Sequence, residues 1–365
     1  MPKLTSSSKS GSNYTSFAFF VKGVSVDFFW GVRDGSALTH GELLWYTHGM
    51  IEQKAMFLWG TPDEVRARTE ASVPSFRLCR PEGCFPPVAL PFRAPNARPL
   101  RQVTRAGRVV ANVFEDDDAV YLLAAGVLPA DLAAPRGEQA TSVFLELEKI
   151  LAEEGMAYAD VVRTWLYIDQ VCTWYNEFNA ARSAFFTSRK VFETFLPAST
   201  GIGCGNLDGA ALTLGAIAMR PKRAGVHAEI VESPLQAPAM AYKSSFSRAA
   251  EIVTPEMRQL FISGTASIKP NSHEVAYVGD IVRQIDCTMH AVLAILESRG
   301  YGWKDVERAI VYLKRPEYRT AWRAWLAANG LPVDFAAETV CDVCRDEWLF
   351  EIEADALKGA GPRKI

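Results

Sequence analysis

The seven residues Glu307-Arg308-Ala309-Ile310-Val311-Tyr312-Leu313 decide the fold once they are set beside Val162-Arg163-Thr164-Trp165-Leu166-Tyr167-Ile168. Both runs are rich in β-branched and aromatic residues, which suit a strand. Both carry an arginine and, four positions on, a tyrosine, at one offset of 145 residues (308 minus 163). Working outward keeps the register: Gln139 pairs with Gln284, Ile150 with Ile295, Leu151 with Leu296 and Gly155 with Gly300. A constant offset marks an internal repeat, and a repeat dictates architecture.

Each copy opens on a short apolar run, 120–126 or 260–264, and continues into a stretch of helical periodicity. Val143, Leu147, Ile150 and Leu151 in the first, and Met289, Val292, Leu293 and Leu296 in the second, recur at the spacing of one helix face. Gly155 and Gly300 stand where a helix C-terminus favours a left-handed residue. After the quoted strands come second helices, over 174–188 and 316–329, and final strands over 210–219 and 349–357. The order β, α, β, α, β, β predicts an α/β chain of two fused modules, each a mixed sheet covered by helices on one face. Arg220-Pro221-Lys222-Arg223-Ala224-Gly225 reads as the linker, so the modules are placed at 75–224 and 225–365. Residues 1–74 match neither copy and have no assigned role. The first fourteen, with five serines, are expected to be disordered, and 75–99 reads as an irregular lead-in strand.

With 365 residues, 49% of them hydrophobic, the chain can bury a sizeable core. A net charge of -3 gives no global attraction to nucleic acid or to an acidic membrane surface. Lys22 and Asp27 interrupt the apolar stretch near the start, so no signal peptide or membrane span is expected and the localisation is read as cytoplasmic. Seven scattered cysteines do not make a disulfide framework. Cys341-x-x-Cys344 has no second ligand pair at matching spacing, so no metal is expected. No phosphate-loop or dinucleotide fingerprint is present, and no organic cofactor is expected.

Glu351 is the residue most in need of explanation. It lies in Trp348-Leu349-Phe350-Glu351-Ile352-Glu353, a run that otherwise reads as a buried strand, where an ionised carboxylate is costly unless paired or functional. One reading makes it a buried proton donor. The other puts it on an edge strand, facing solvent together with Glu353 by two-residue alternation.

Several motifs in this order resemble the RidA/YjgF (chorismate mutase-like) superfamily: Ser263-Gly264-Thr265-Ala266-Ser267, Gln284, the two Arg-x-x-x-Tyr strands, Pro197-Ala198-Ser199-Thr200 and Glu351-Ile352-Glu353-Ala354. Two fused copies, over roughly residues 85–360, more narrowly resemble chorismatases. Imine deaminases of the superfamily carry an arginine where this chain has Ser199, and Ala336 and Ala337 occupy the matching region of the second copy, which disfavours that activity. Gly264, and Cys344 seven residues before Glu351, follow the pattern of 3-hydroxybenzoate-forming chorismatases rather than that of the hydrolytic type.

The resemblance implies chorismate as substrate and Glu351 as general acid on its enolpyruvyl group. Two carboxylates call for arginine forks; the candidates are Arg248 foremost, then Arg163 beside Tyr167, and Arg315, although arginines in such places are often ion-paired. Ser199 and Thr200 offer a hydrogen-bonding rim. Gly264 and Cys344 are implied to shape the space beside the ring; a packed core thiol is the plainer reading of Cys344. A hydrolytic chorismatase, an imine deaminase and a non-catalytic binding module are the alternatives. The expected partner is a small molecule, with no nucleic acid and no membrane, and the chain a monomer or small homo-oligomer.

Overall fold

The computed structural model describes residues 14–21, 24–31, 50–79, 88–95, 98–242, 244–270, 272 and 274–359. The reading of disorder at the serine-rich start falls on residues 1–13, outside the described residues, and on Tyr14, which opens a strand. In chain order the elements are β1 (Tyr14–Val21), β2 (Val24–Gly31), β3 (Met50–Gly60), α1 (Pro62–Arg68), β4 (Ser75–Cys79), β5 (Val88–Pro95), β6 (Arg98–Arg105), β7 (Arg108–Glu115) and β8 (Ala119–Val127). Next come α2 (Arg136–Glu153), β9 (Val161–Ile168), α3 (Val171–Ser188), β10 (Ala198–Gly203), β11 (Gly205–Asn206) and β12 (Leu212–Pro221). The second half holds β13 (His227–Val231), β14 (Ala249–Val253), β15 (Met257–Ala266), α4 (Ile281–Ser298), β16 (Val306–Leu313), α5 (Arg319–Ala328), β17 (Ala337–Val340) and β18 (Phe350–Gly359).

The repeat is realised strand for strand. One six-stranded sheet runs β10-β9-β12-β8-β7-β6 and the other β17-β16-β18-β15-β14-β13. In each, the first-named edge strand, β10 or β17, is parallel to its neighbour and the rest pair antiparallel. The apolar stripes of α2 and α4 are buried against one face of their sheets, and Gly155 and Gly300 take positive φ past the helix ends, at +63° and +78°. Each module opens with two antiparallel strands, β6-β7 and β13-β14, that the sequence reading did not include. Among the described residues no helix is long and apolar enough to cross a membrane.

The uncovered faces of the two sheets meet in a central core that holds Tyr121, Trp165 and Tyr167 from the first module and Phe261, Ile310 and Tyr312 from the second. A third wall closes it: Phe57, Trp59, Phe76 and Leu78, from β3 and β4, belong to the same cluster. This wall repeats the module's own design, since β3 is parallel to β4 and antiparallel to β5, as β9 is to β10 and β12, and as β16 is to β17 and β18. The elements β3, α1, β4 and β5 are therefore a truncated third copy in topology rather than a lead-in strand behind a stretch without a role. Its sequence gave no such sign because only the strand pairing is kept.

Candidate active site

Two-residue alternation along β18 sends Phe350, Ile352 and Ala354 into the helix-covered core and Glu351, Glu353 and Asp355 to the other side of the strand, toward the first module. β18 is an interior strand, with Glu351 opposite Ala266 on one side and Tyr312 on the other. Glu351 is 5% exposed and Glu353 fully buried, so the solvent-facing edge reading is wrong for both.

Their surroundings drive the two carboxyls apart. Glu353 accepts from Arg163 Nη2 at 2.9 Å, Trp165 Nε1 at 2.9 Å and Arg308 Nη1 at 2.5 Å, while Arg308 Nε also donates to Asp355 at 2.7 Å. Burial opposes ionisation of Glu353, but Arg308 and Arg163 outweigh it and hold the carboxyl below its ordinary range. Glu351 goes the other way: burial first, then the charge on Glu353, raise its pKa to about 8 against the pull of Arg163 and Arg248. Paired acids displaced in opposite directions are the mark of divided acid and anion roles.

Space for the Glu351 carboxyl comes from β15, whose pairing with β18 shifts register between Ile262 and Thr265. There Ser263 Oγ donates to Ser247 O at 2.6 Å and accepts from Ser199 N at 2.8 Å, and Gly264 N donates to Thr200 Oγ1 at 3.0 Å. A Cβ on Gly264 would overlap Glu351 Oε1 and lie 3.2 Å from Thr200 Cγ2. Glycine is thus what lets the acid lie where it does.

The carboxyl faces a cavity between the modules. The first contributes Tyr175, Phe178 and Arg182 from α3 with Ser199 and Gly201 from β10; the second contributes Phe246, Arg248, Gly264, Cys344, Arg345, Trp348 and Glu351. Arg248 donates from Nε and Nη2 to Ala237 O at 3.1 and 3.0 Å, Arg182 Nη2 donates to Asn179 Oδ1 at 2.7 Å, and the Arg345 guanidinium lies 5.2 Å from the centre of the Trp348 ring. Burial, aided by the charge of Glu351, pushes the Cys344 thiol up to about 12, so it stands as SH at neutral pH.

The structure thus brings Glu351, Cys344, Arg248, Gly264 and Ser199 together, with Thr200 one layer behind. Three further candidates do not line the cavity. Arg163 is fully buried and its fork is taken by Glu353 and Thr200; Tyr167 points its hydroxyl at that of Tyr312, 3.0 Å away; Arg315 lies on the surface, 3.8 Å from Glu317. Sequence reasoning missed Arg182 and Arg345. Tyr175, Phe178 and Arg182 occupy one helical face by their spacing, a legible signal, whereas nothing about Arg345 beyond its place next to Cys344 points inward.

The fold is similar to that of a chorismatase, whose crystal structure superposes on 89% of this chain and 96% of its own, with a TM-score of 0.64 at 20% identity. Residues 237–358, nearly the whole second module, match the Endoribonuclease L-PSP family model, which describes the RidA/YjgF superfamily. The resemblance extends to sequence. The chain is 28% identical to the 3-hydroxybenzoate synthase of Streptomyces hygroscopicus over 308 residues, 74% of this chain and 85% of that protein. It is 27% identical to a chorismatase of the same organism over 222 residues, 54% of this chain and 62% of the relative, so that match spans under two thirds of the relative's length.

Proposed function

We propose that the chain converts chorismate into pyruvate and 3-hydroxybenzoate, with Glu351 as the proton donor. The observation that carries this reading is a buried carboxyl with a pKa raised to about 8, held in a cavity that three arginines also line. Chorismate is a dicarboxylate carrying an enol ether. Arg182, Arg248 and Arg345 suit its two carboxylates, since a guanidinium fork offers paired donors. The name of one relative supports the same product and that of the other the same substrate.

The reaction begins when Glu351 protonates the terminal methylene carbon, turning the enolpyruvyl group into an oxocarbenium ion and weakening its bond to the ring. In the internal route the 4-hydroxyl oxygen bonds to C3 as the C3–O bond breaks and pyruvate leaves. Loss of the C3 proton with opening of the C4–O bond then gives the aromatic ring. No water is consumed. In the competing hydrolysis, water adds to the oxocarbenium carbon and the products are pyruvate and a dihydroxycyclohexadiene acid.

Gly264 and Cys344 are proposed to favour the internal route, though not as equals. Both border the cavity, but Cys344 presents its thiol to it, whereas Gly264 acts through Glu351, whose carboxyl any larger residue would displace. Incubating the purified protein with chorismate, with pyruvate followed by a coupled assay and ring products by chromatography, tests the proposal. Pyruvate with 3-hydroxybenzoate is expected; the diene diol as main product would move the chain to the hydrolytic type, and no pyruvate would remove chorismate as its substrate.

A further inference from the structure

A second opening lies behind Cys344. Tyr175, Ser244, Cys344 and Arg345 line the catalytic cavity on one side and, on the other, an open groove that also reaches Cys172 and Asn179. One layer of side chains separates the two spaces. That layer is a seam between α3 of the first module and two segments of the second. Cys172, Tyr175, Asn179 and Ser183 fall three, four and four residues apart, a single stripe along the helix.

The two ends of the stripe tie the seam. Cys172 Sγ donates to Val343 O at 3.3 Å, and Ser183 Oγ meets Ser245 Oγ at 2.8 Å. Between them, the Tyr175 hydroxyl faces the Cys344 thiol and the Asn179 side chain, with Tyr175 and Cys344 lining both spaces, and Asn179 accepts from Arg182. The thiol therefore does not merely fill space. It is the second-module side of the polar contact with Tyr175 that crosses the layer shared by these two spaces.

The chemistry makes that layer consequential. An oxocarbenium ion adds whatever water reaches it, whereas the internal route needs none. We infer that the Tyr175–Cys344 seam is the water barrier of this site, and that Tyr175 is a positioning residue that decides which ring product leaves. The inference rests on the chorismate reading above, and it assigns a specificity role to a residue outside the acid and arginine set.

Tyr175→Phe removes the hydroxyl and keeps the ring; Tyr175→Ala opens the wall. Both leave Glu351 in place, so pyruvate release continues while the share of diene diol rises, about tenfold for Tyr175→Phe, the equivalent of one lost hydrogen bond in the opening equilibrium, and further for Tyr175→Ala. A second readout needs no turnover. In a Cys172→Ser background, alkylation of Cys344 by iodoacetamide, located by mass spectrometry, accelerates in the same order. If the wild-type chain makes no pyruvate, the chorismate reading fails, and labelling alone still judges the barrier. Folded variants with wild-type labelling overturn it, and faster labelling with an unchanged product ratio overturns the role in product choice.

Discussion

At neutral pH a carboxyl with a pKa near 8 is mostly protonated, the state a proton donor needs, and Glu351 loses that state as pH climbs through about 8. The rate of pyruvate release at low chorismate should accordingly be level near neutrality and fall above pH 8. Glu351→Gln keeps the shape and cannot donate, and should cost on the order of 100-fold or more in that rate. The same variant should melt higher than the wild type. The folded carboxyl holds its proton more tightly than the unfolded one, so the wild type loses about 1.4 kcal/mol of stability per pH unit between 4.5 and about 8. The melting difference should grow across that window and vanish below it; a constant difference would contradict the pKa assignment. Glu353 is no control for this experiment. Glu353→Gln leaves Arg163 and Arg308 buried around a neutral amide, and about 3–5 kcal/mol of stability should go, read by denaturant titration. Sequence alone exposed the anomaly of Glu351, an acid in an apolar strand. It could not supply the cause of the shift, because burial and the opposing arginines come from both modules at once.

Periodicity made the helices and paired strands legible: α2, α4, β9 and β16 stand where their apolar spacing put them. β6-β7 and β13-β14 were not legible, since Arg98–Arg105 and His227–Val231 share no residue signature and become equivalent only through strand pairing. Arg182 escaped notice for a related reason. Its helical face was readable, but the partner across the cavity lies in the other module. The irregularity in β15 is the element that most directly governs the acid, and it yields a sharp expectation. Gly264→Ala drives a methyl into the Glu351 carboxyl, so total chorismate consumption should drop by about tenfold or more, the scale of a misplaced general acid. Product chromatography and pyruvate assay on the same samples check this. A shift of product at full turnover would mean that the carboxyl swings aside at no cost.

Across the whole molecule, the third wall joins both modules through one shared core. Phe57 stacks on Phe76 at 5.0 Å and meets Trp165 edge-on at 5.6 Å, joining the wall to the first module, while Arg308 of the second lies 5.8 Å from the centre of the Phe57 ring. Phe57→Ala should cost about 3–5 kcal/mol, and denaturant unfolding followed by tryptophan fluorescence should lose both modules in a single, earlier transition; two separated transitions would show that the core is not shared. The wall also reaches the place in the first module that corresponds to the acid site of the second. In these strands, where Ala124 pairs with Ala216 as Ile262 does with Ala354, the offset is 138 rather than 145; positions 126, 213 and 215 thus answer to 264, 351 and 353, and there a Cβ on Gly126 would strike Ser75 O and one on Gly215 the Phe76 ring. A ring of three like units would form three like clefts, each obliged to use the same two surfaces. Here the first-module counterpart is filled by the third wall and the cleft of the second module carries the acid, so the two flanks of that acid cleft are encoded by different stretches of sequence. Each flank can be altered without altering the other, which suits a substrate whose two ends are not alike.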